Sequence, residues 1–268
     1  MNRRDRQSDS SREIKMARPT SNRYEPARAE VFKVFPTPML RGVLDIDLNP
    51  VIEDCRSLVA QVKENCPDDY GQNYTTYFDQ DLRRAMYEFE WFKEFSDRIK
   101  DTYIVFINDT FELQTDYLTR NDIHLFSWIN RYEGHHHHEV HNHVDSFISG
   151  TWYIKANDTT PIKFFSPNIT TTFSHKTTDR KITREGLPNI EFNGVNGVDQ
   201  EMCVFPTDGE FLMWPSYMQH TVPANQQKTD DKYERISLSF NLKHREIINE
   251  NETGHDMSYG NLNDTSKK

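Results

Sequence analysis

Arg235-Ile236-Ser237-Leu238-Ser239-Phe240-Asn241-Leu242 alternates polar and apolar residues without a break, the two-residue period of a strand with one face in a core. Ile236, Leu238, Phe240 and Leu242 share one face, and Arg235, Ser237, Ser239 and Asn241 share the other. If the polar face lines a cavity, Arg235 is a buried cation that needs an anion, because an unpaired charge there is costly. A guanidinium fork beside a serine hydroxyl suits a carboxylate. That carboxylate can belong to a ligand or to an Asp or Glu of the chain, and both readings stay open.

The same period runs upstream. From Asp122 onward, Ile123, Leu125, Ser127 and Ile129 alternate with His124, Phe126, Trp128 and Asn130. Strands are expected at 148–154, 162–165, 202–205 and 210–214, separated by turn residues such as Asn157-Asp158, Ser166-Pro167, Asp208-Gly209 and Pro223. Many short strands in succession make an antiparallel sandwich or small barrel. Before them the period is helical. Asn49 reads as an N-cap with Pro50 at the first helical position, and Val51, Ile52, Cys55, Leu58, Val59 and Val62 recur on one face. This predicts a helix over 50–65, ended by Pro67. Leu82, Met86, Phe89, Phe92, Phe95 and Ile99 predict another over about 79–100. The fold class is therefore α+β, an N-terminal helical layer on a double-stranded β-helix, or jelly roll.

Composition bounds the function. The 268 residues carry 32 Lys+Arg against 42 Asp+Glu, a formal charge of −10. Residues 1–24 hold seven basic and three acidic side chains, which leaves about −14 on the remainder. Residues 1–30 read as a disordered basic arm, 31–243 as the jelly-roll domain, and 244–268 as a disordered polar tail. An acidic body argues against a nucleic-acid partner. The longest apolar run, Tyr103-Ile104-Val105-Phe106-Ile107, is far short of the ~20 residues of a membrane span, and a membrane partner is not expected. Cys55, Cys66 and Cys203 form no CxxC, so the default is a reducing, cytoplasmic setting.

Chemistry concentrates in histidine. Six of the eleven fall in His135-His136-His137-His138-Glu139-Val140-His141-Asn142-His143. If the strand extends through them, His141, His143 and Asp145 point into one cavity. Two ligand pairs follow: His141 with His143, giving a three-histidine site, or His143 with Asp145, giving a 2-His-1-carboxylate site. Each needs a distant third ligand, and His220, just beyond the apolar strand Gly209 to Pro215, is the natural one. The run His135–His138 reads as solvated loop histidines.

In this order the pieces resemble the 2-oxoglutarate and Fe(II)-dependent oxygenase superfamily, and look closest to the oxygenase family common in tailed bacteriophages and marine bacteria. The resemblance is carried by His141-Asn142-His143-Val144-Asp145-Ser146-Phe147-Ile148-Ser149-Gly150-Thr151-Trp152-Tyr153, by Gly209 through Pro215-Ser216 to His220, and by Arg235 through Asn241. Phe35-Pro36-Thr37-Pro38 and Ser127-Trp128-Ile129-Asn130 add to it, so coverage runs from about residue 31 to 243. It implies Fe(II) ligands at His141, His143 and His220, with Asp145 replacing His141 in the shifted register. It also implies that Arg235 and Ser237 hold the distal carboxylate of 2-oxoglutarate, with Tyr153 on that same carboxylate. The implied reaction uses O2 and 2-oxoglutarate to hydroxylate a substrate that no motif specifies, in the cytoplasm of the host if the chain is phage-encoded. Specificity is expected in the loops 167–188 and 189–200. Two other classes stay in view: a non-catalytic, metal-stabilised or virion-associated jelly-roll module, and a cupin-like three-histidine enzyme without 2-oxoglutarate. The latter has no need of a carboxylate clamp at Arg235.

Overall fold

A computed structural model describes residues 37–65, 73–111, 118–167, 182–183, 189–195, 198–225 and 233–244. The basic arm, and the tail beyond His244, lie outside these residues. Strands β1 (Leu40–Val43), β2 (Tyr74–Thr75), β3 (Ile123–Glu133), β5 (Ile148–Lys155), β10 (Glu210–Pro215) and β12 (Glu234–His244) form one antiparallel sheet in the order β1-β10-β5-β12-β3-β2. The second sheet, in the order β4-β11-β6-β9-β8-β7, contains β4 (His138–His141), β6 (Ile162–Phe165), β7 (Ile182–Thr183), β8 (Ile190–Val195), β9 (Val198–Val204) and β11 (His220–Val222). Two sheets whose strands alternate along the chain are the two walls of a jelly roll.

The alternation in β12 divides as the sequence requires. Ile236, Leu238, Phe240 and Leu242 join a core with Trp152, Phe95, Ile99, Val51 and Cys55, which fastens the helices to the outer face of the large sheet. Each fully buried side chain of this size contributes about 1.5–3 kcal/mol. Arg235, Ser237, Ser239 and Asn241 turn toward the space between the sheets. Gly150 lies opposite Phe240, and a Cβ there would run into that ring and the Leu212 carbonyl oxygen, so the register tolerates only glycine.

The helices differ in detail from expectation. α1 (Leu48–Asn65) begins before Pro50, and Asp47 rather than Asn49 supplies a capping oxygen, accepting the Asn49 amide at 3.1 Å. The single helix expected over about 79–100 is two, α2 (Gln80–Tyr87) and α3 (Glu90–Phe111). Asp79 caps α2 by accepting the Leu82 amide at 3.0 Å. The stretch 189–200, read as a loop, contains β8 and the start of β9, because Ile190 finds its partner in Val204, a pairing invisible to local pattern. Most of 167–188 lies outside the described residues. Cys55 and Cys203 are buried and in no disulfide, and no described helix is long and apolar enough to cross a membrane.

One ion network ties α1 to the sheet. The Glu234 carboxylate, 10% exposed, meets Arg56 at 2.5 Å, Arg131 at 2.8 Å and Lys155 at 2.6 Å. Burial alone would raise its pKa, but the bonds from Arg56 and Lys155 and the charge of Arg131 outweigh this and hold it at about 2. A carboxyl whose pKa is depressed on folding stabilises the protein above its unfolded value, near 4.5, and loses that contribution as pH falls toward 2. We expect Glu234→Gln to lower Tm at pH 7 by about 2–6 °C, and the deficit to shrink at pH 3. A deficit unchanged between pH 7 and pH 3 in thermal scans would show that the network's charge is not what stabilises.

Candidate active site

Antiparallel pairing assembles the site. β4 and β11 place His141 opposite His220, with ring centroids 4.2 Å apart. After β4 the strand stops. Residues 142–147 form a turn instead of the continuous strand the alternation suggested, and this turn brings His143 back to 5.2 Å from both rings. The His143 amide donates to the Ser216 carbonyl at 2.9 Å, and a hydroxyl network among Ser146, Ser149, Ser216 and Asn241 pins the turn to β10 and β12. The nearest ring nitrogens of His141, His143 and His220 all lie within 4.8 Å of one another. Asp145 is exposed on the turn and is not part of that group.

The tautomers suit metal binding. His220 Nδ1 lies 3.0 Å from the Met218 carbonyl and His141 Nδ1 lies 2.8 Å from that of Glu139, so each Nδ1 carries the proton and leaves Nε2 with its lone pair. His143 is hydrogen-bonded by Asn241, and its Nε2 is buried without a partner. Burial disfavours the imidazolium in all three, pushing His143 to about 4 and His220 well below the usual range. Three neutral imidazoles with converging lone pairs fit a divalent metal of borderline softness such as Fe(II).

Behind them is a narrow chamber of about 20 Å³, lined by His141, His143 and His220 at one part of its wall and by Arg235, Ser237 and Tyr132 at another. Arg235 is 1% exposed. Its guanidinium carbon lies 5.3 Å from the centre of the Tyr132 ring and 5.1 Å from that of Tyr153. Nη1 donates to the Thr160 carbonyl at 2.6 Å, Nε has no partner, and no ion pair among the described residues includes Arg235. The Tyr153 hydroxyl is likewise buried and unpartnered. A buried cation and orphaned donors fit an anionic group.

Sequence reasoning missed three residues here. Tyr132 is the cross-strand partner of Arg235, and the Trp128, Asn130, Tyr132 alternation of β3 was a signal for it. Trp128 stacks on His143 with centroids 5.7 Å apart. His138, read as a solvated loop residue, is packed at 4.1 Å on His141 and is pushed to about 3, chiefly by burial and then by the neighbouring histidines. His136, from the same run, is also buried. A bare histidine repeat gives no sign of which rings turn inward.

A jelly roll with converging imidazoles and a buried guanidinium in one cavity offers a metal site and an anion site side by side. Residues 126–241, a segment that carries the three histidines and Arg235, match the family model described as "Putative 2OG-Fe(II) oxygenase". The description of that family names Fe(II) and 2-oxoglutarate, and the three histidines could hold such a metal. No curated protein matches significantly. Among solved structures, a Pseudomonas putida prolyl-4-hydroxylase is 13% identical, with a TM-score of 0.41 over 78% of this chain and 94% of that one. The epimerase SnoN of nogalamycin biosynthesis is 14% identical, with a TM-score of 0.44 over 82% and 85%. HygX from Streptomyces hygroscopicus, with nickel and 2-oxoglutarate bound, is 11% identical, with a TM-score of 0.40 over 78% and 83%.

Proposed function

We propose that the chain is a hydroxylase in which His141, His143 and His220 hold Fe(II), and Arg235, with Ser237 and Tyr153, holds the distal carboxylate of 2-oxoglutarate. The observation that carries this reading is the coexistence, in one chamber, of three neutral imidazoles and a buried Arg235 lacking a carboxylate partner among the described residues. Fe(II) with 2-oxoglutarate supplies the oxidising power, O2 being reduced as the keto acid loses CO2 to become succinate and one oxygen atom enters a substrate C–H bond.

The chain's own groups bind, orient and exclude water. The carbonyls of Met218 and Glu139 fix two imidazole tautomers, and Asn241 orients the third. Tyr132 and Tyr153 flank the guanidinium and keep it from bulk solvent, where its attraction for a carboxylate would be screened. The chamber has room for about one water, so holding a five-carbon dicarboxylate requires its lining side chains to move outward.

Anaerobic titration of the metal-free protein with Fe(II) and then 2-oxoglutarate tests the proposal. The expected result is the visible charge-transfer band of a metal-chelated keto acid. Fe(II) binding without the band would favour a three-histidine metal enzyme or a structural metal, and binding of neither would leave a jelly-roll interaction module.

A further inference from the structure

Outside the inner chamber is a wider cleft of about 340 Å³, and the two spaces share Trp128, His138, His141 and His143. One wall of this cleft is a continuous run of aromatic rings. Phe78 meets Tyr77 at 5.0 Å, Tyr77 meets Phe126 at 5.5 Å and Trp128 at 5.1 Å, and Trp128 stacks on His143. The wall thus leads from the rim, where Phe78 is 86% exposed, to a ring of the histidine cluster.

The turn that presents Tyr77 and Phe78 is braced. The Thr76 amide donates to the Ile129 carbonyl at 3.1 Å, and the Ile129 amide donates to the Thr76 hydroxyl at 3.0 Å. The buried Arg83 guanidinium donates to the carbonyls of Thr76 and Tyr77. An apolar ring held open to water by buried polar groups is a preorganised contact, not a frayed loop.

The remaining lining narrows the ligand. Four amides, Asn73, Asn130, Asn142 and Asn241, line the cleft; Asn73 donates to Asn130, Asn130 to Ser239, and Asn241 is engaged by Ser149 and His143, while Asn142 is exposed on the turn. Apart from histidines and the Tyr77 phenol, the ionisable side chains of the lining are Asp145 and Lys243, one of each sign. No cluster of cations is present to pay for desolvating a phosphate or an acidic peptide. The contacts of Tyr77 with Phe78, Phe126 and Trp128 are edge-on, at 73° to 81°, and build one wall instead of two parallel plates. A nucleic-acid strand would also stack on such rings but needs a cationic groove for its backbone, whereas the C–H face of a neutral sugar needs only the aromatic surface and polar groups such as the exposed Asn142 amide for its hydroxyls.

We propose that this cleft binds a neutral glycosyl ring stacked on the Tyr77–Phe78 wall, which makes the substrate class of the oxygenase a carbohydrate. The inference rests on the oxygenase reading above. It is tested by saturation-transfer NMR on the full chain loaded with Zn(II) and 2-oxoglutarate, with methyl glycosides of glucose, galactose, mannose, xylose and rhamnose, and with thymidine and N-acetylproline amide as competitors of other classes. The expected result is binding of at least one glycoside, weakened about tenfold in Phe78→Ala and retained in Phe78→Trp. No glycoside binding, binding indifferent to Phe78→Ala, or preference for thymidine or the proline amide would each overturn it. Phe78 is exposed, so its replacement leaves folding intact. The keto-acid band of the Fe(II) protein reports separately on the oxygenase reading: a band without glycoside binding sinks only the carbohydrate assignment, and a missing band sinks both.

Discussion

Arg235→Ala weakens 2-oxoglutarate binding by roughly 30-fold or more, the equivalent of about 2–5 kcal/mol for losing one partner of a buried charge pair. The size follows from burial. Arg235 is 1% exposed, is flanked by Tyr132 and Tyr153, and meets no carboxylate among the described residues, so a dicarboxylate end would be its anion in a medium of low dielectric. Removing so large a side chain also leaves a cavity, and some loss of stability accompanies the variant. Arg235→Lys separates the two effects. It keeps the charge and most of the volume but loses the fork, and its affinity should fall between those of the wild type and Arg235→Ala. The measurement is the half-saturation of the keto-acid band, with near-ultraviolet circular dichroism as the check on folding. Equal affinity in the three proteins would remove Arg235 from the site.

His220→Ala lowers Fe(II) affinity at least 100-fold, beyond the 10–100-fold typical of altering a residue that merely orients a ligand. His141→Ala does the same, whereas Asp145→Ala leaves affinity within about threefold of wild type. The contrast follows from geometry. His141 and His220 are cross-strand partners with their Nδ1 protons engaged by carbonyls, while Asp145 is exposed on the turn. Equilibrium dialysis under argon, with Tm recorded for each variant, decides between the two ligand sets. A large loss in Asp145→Ala together with near-normal binding in His141→Ala would establish the carboxylate register instead.

The reading of the site divides along the same line. The alternation of β12 already separated Arg235 and Ser237 from Ile236 and Leu238, and the placement of those apolar residues against the helices follows from it. The histidine segment was legible as chemistry but not as geometry. A strand through Asp145 would have pointed His141, His143 and Asp145 one way, yet the chain turns after His141 because the His143 amide and the serine hydroxyls are satisfied by Ser216, about seventy residues further on. Local period cannot report a hydrogen bond to a residue that distant. The helix expected over about 79–100 proved to be two, the first closing on local bonds from the Glu88 and Phe89 amides to the Ala85 and Met86 carbonyls, and the stretch after Asn189 became β8 through its pairing with β9.

Sequence by itself determined the jelly roll with its helical layer, because side-chain period fixes which face of each element is buried. It also determined the types of group available for chemistry: histidines, one strand arginine and its neighbouring hydroxyls. Tertiary structure alone decided which of the clustered histidines converge, that His138 packs on His141, that Tyr132 joins Tyr153 around Arg235, and that Tyr77 and Phe78 continue the aromatic wall begun by Trp128. Most of these contacts join residues far apart in the chain, and even the packing of His138 on His141, three residues away, depends on how strand pairing and turn hydrogen bonds orient the segment.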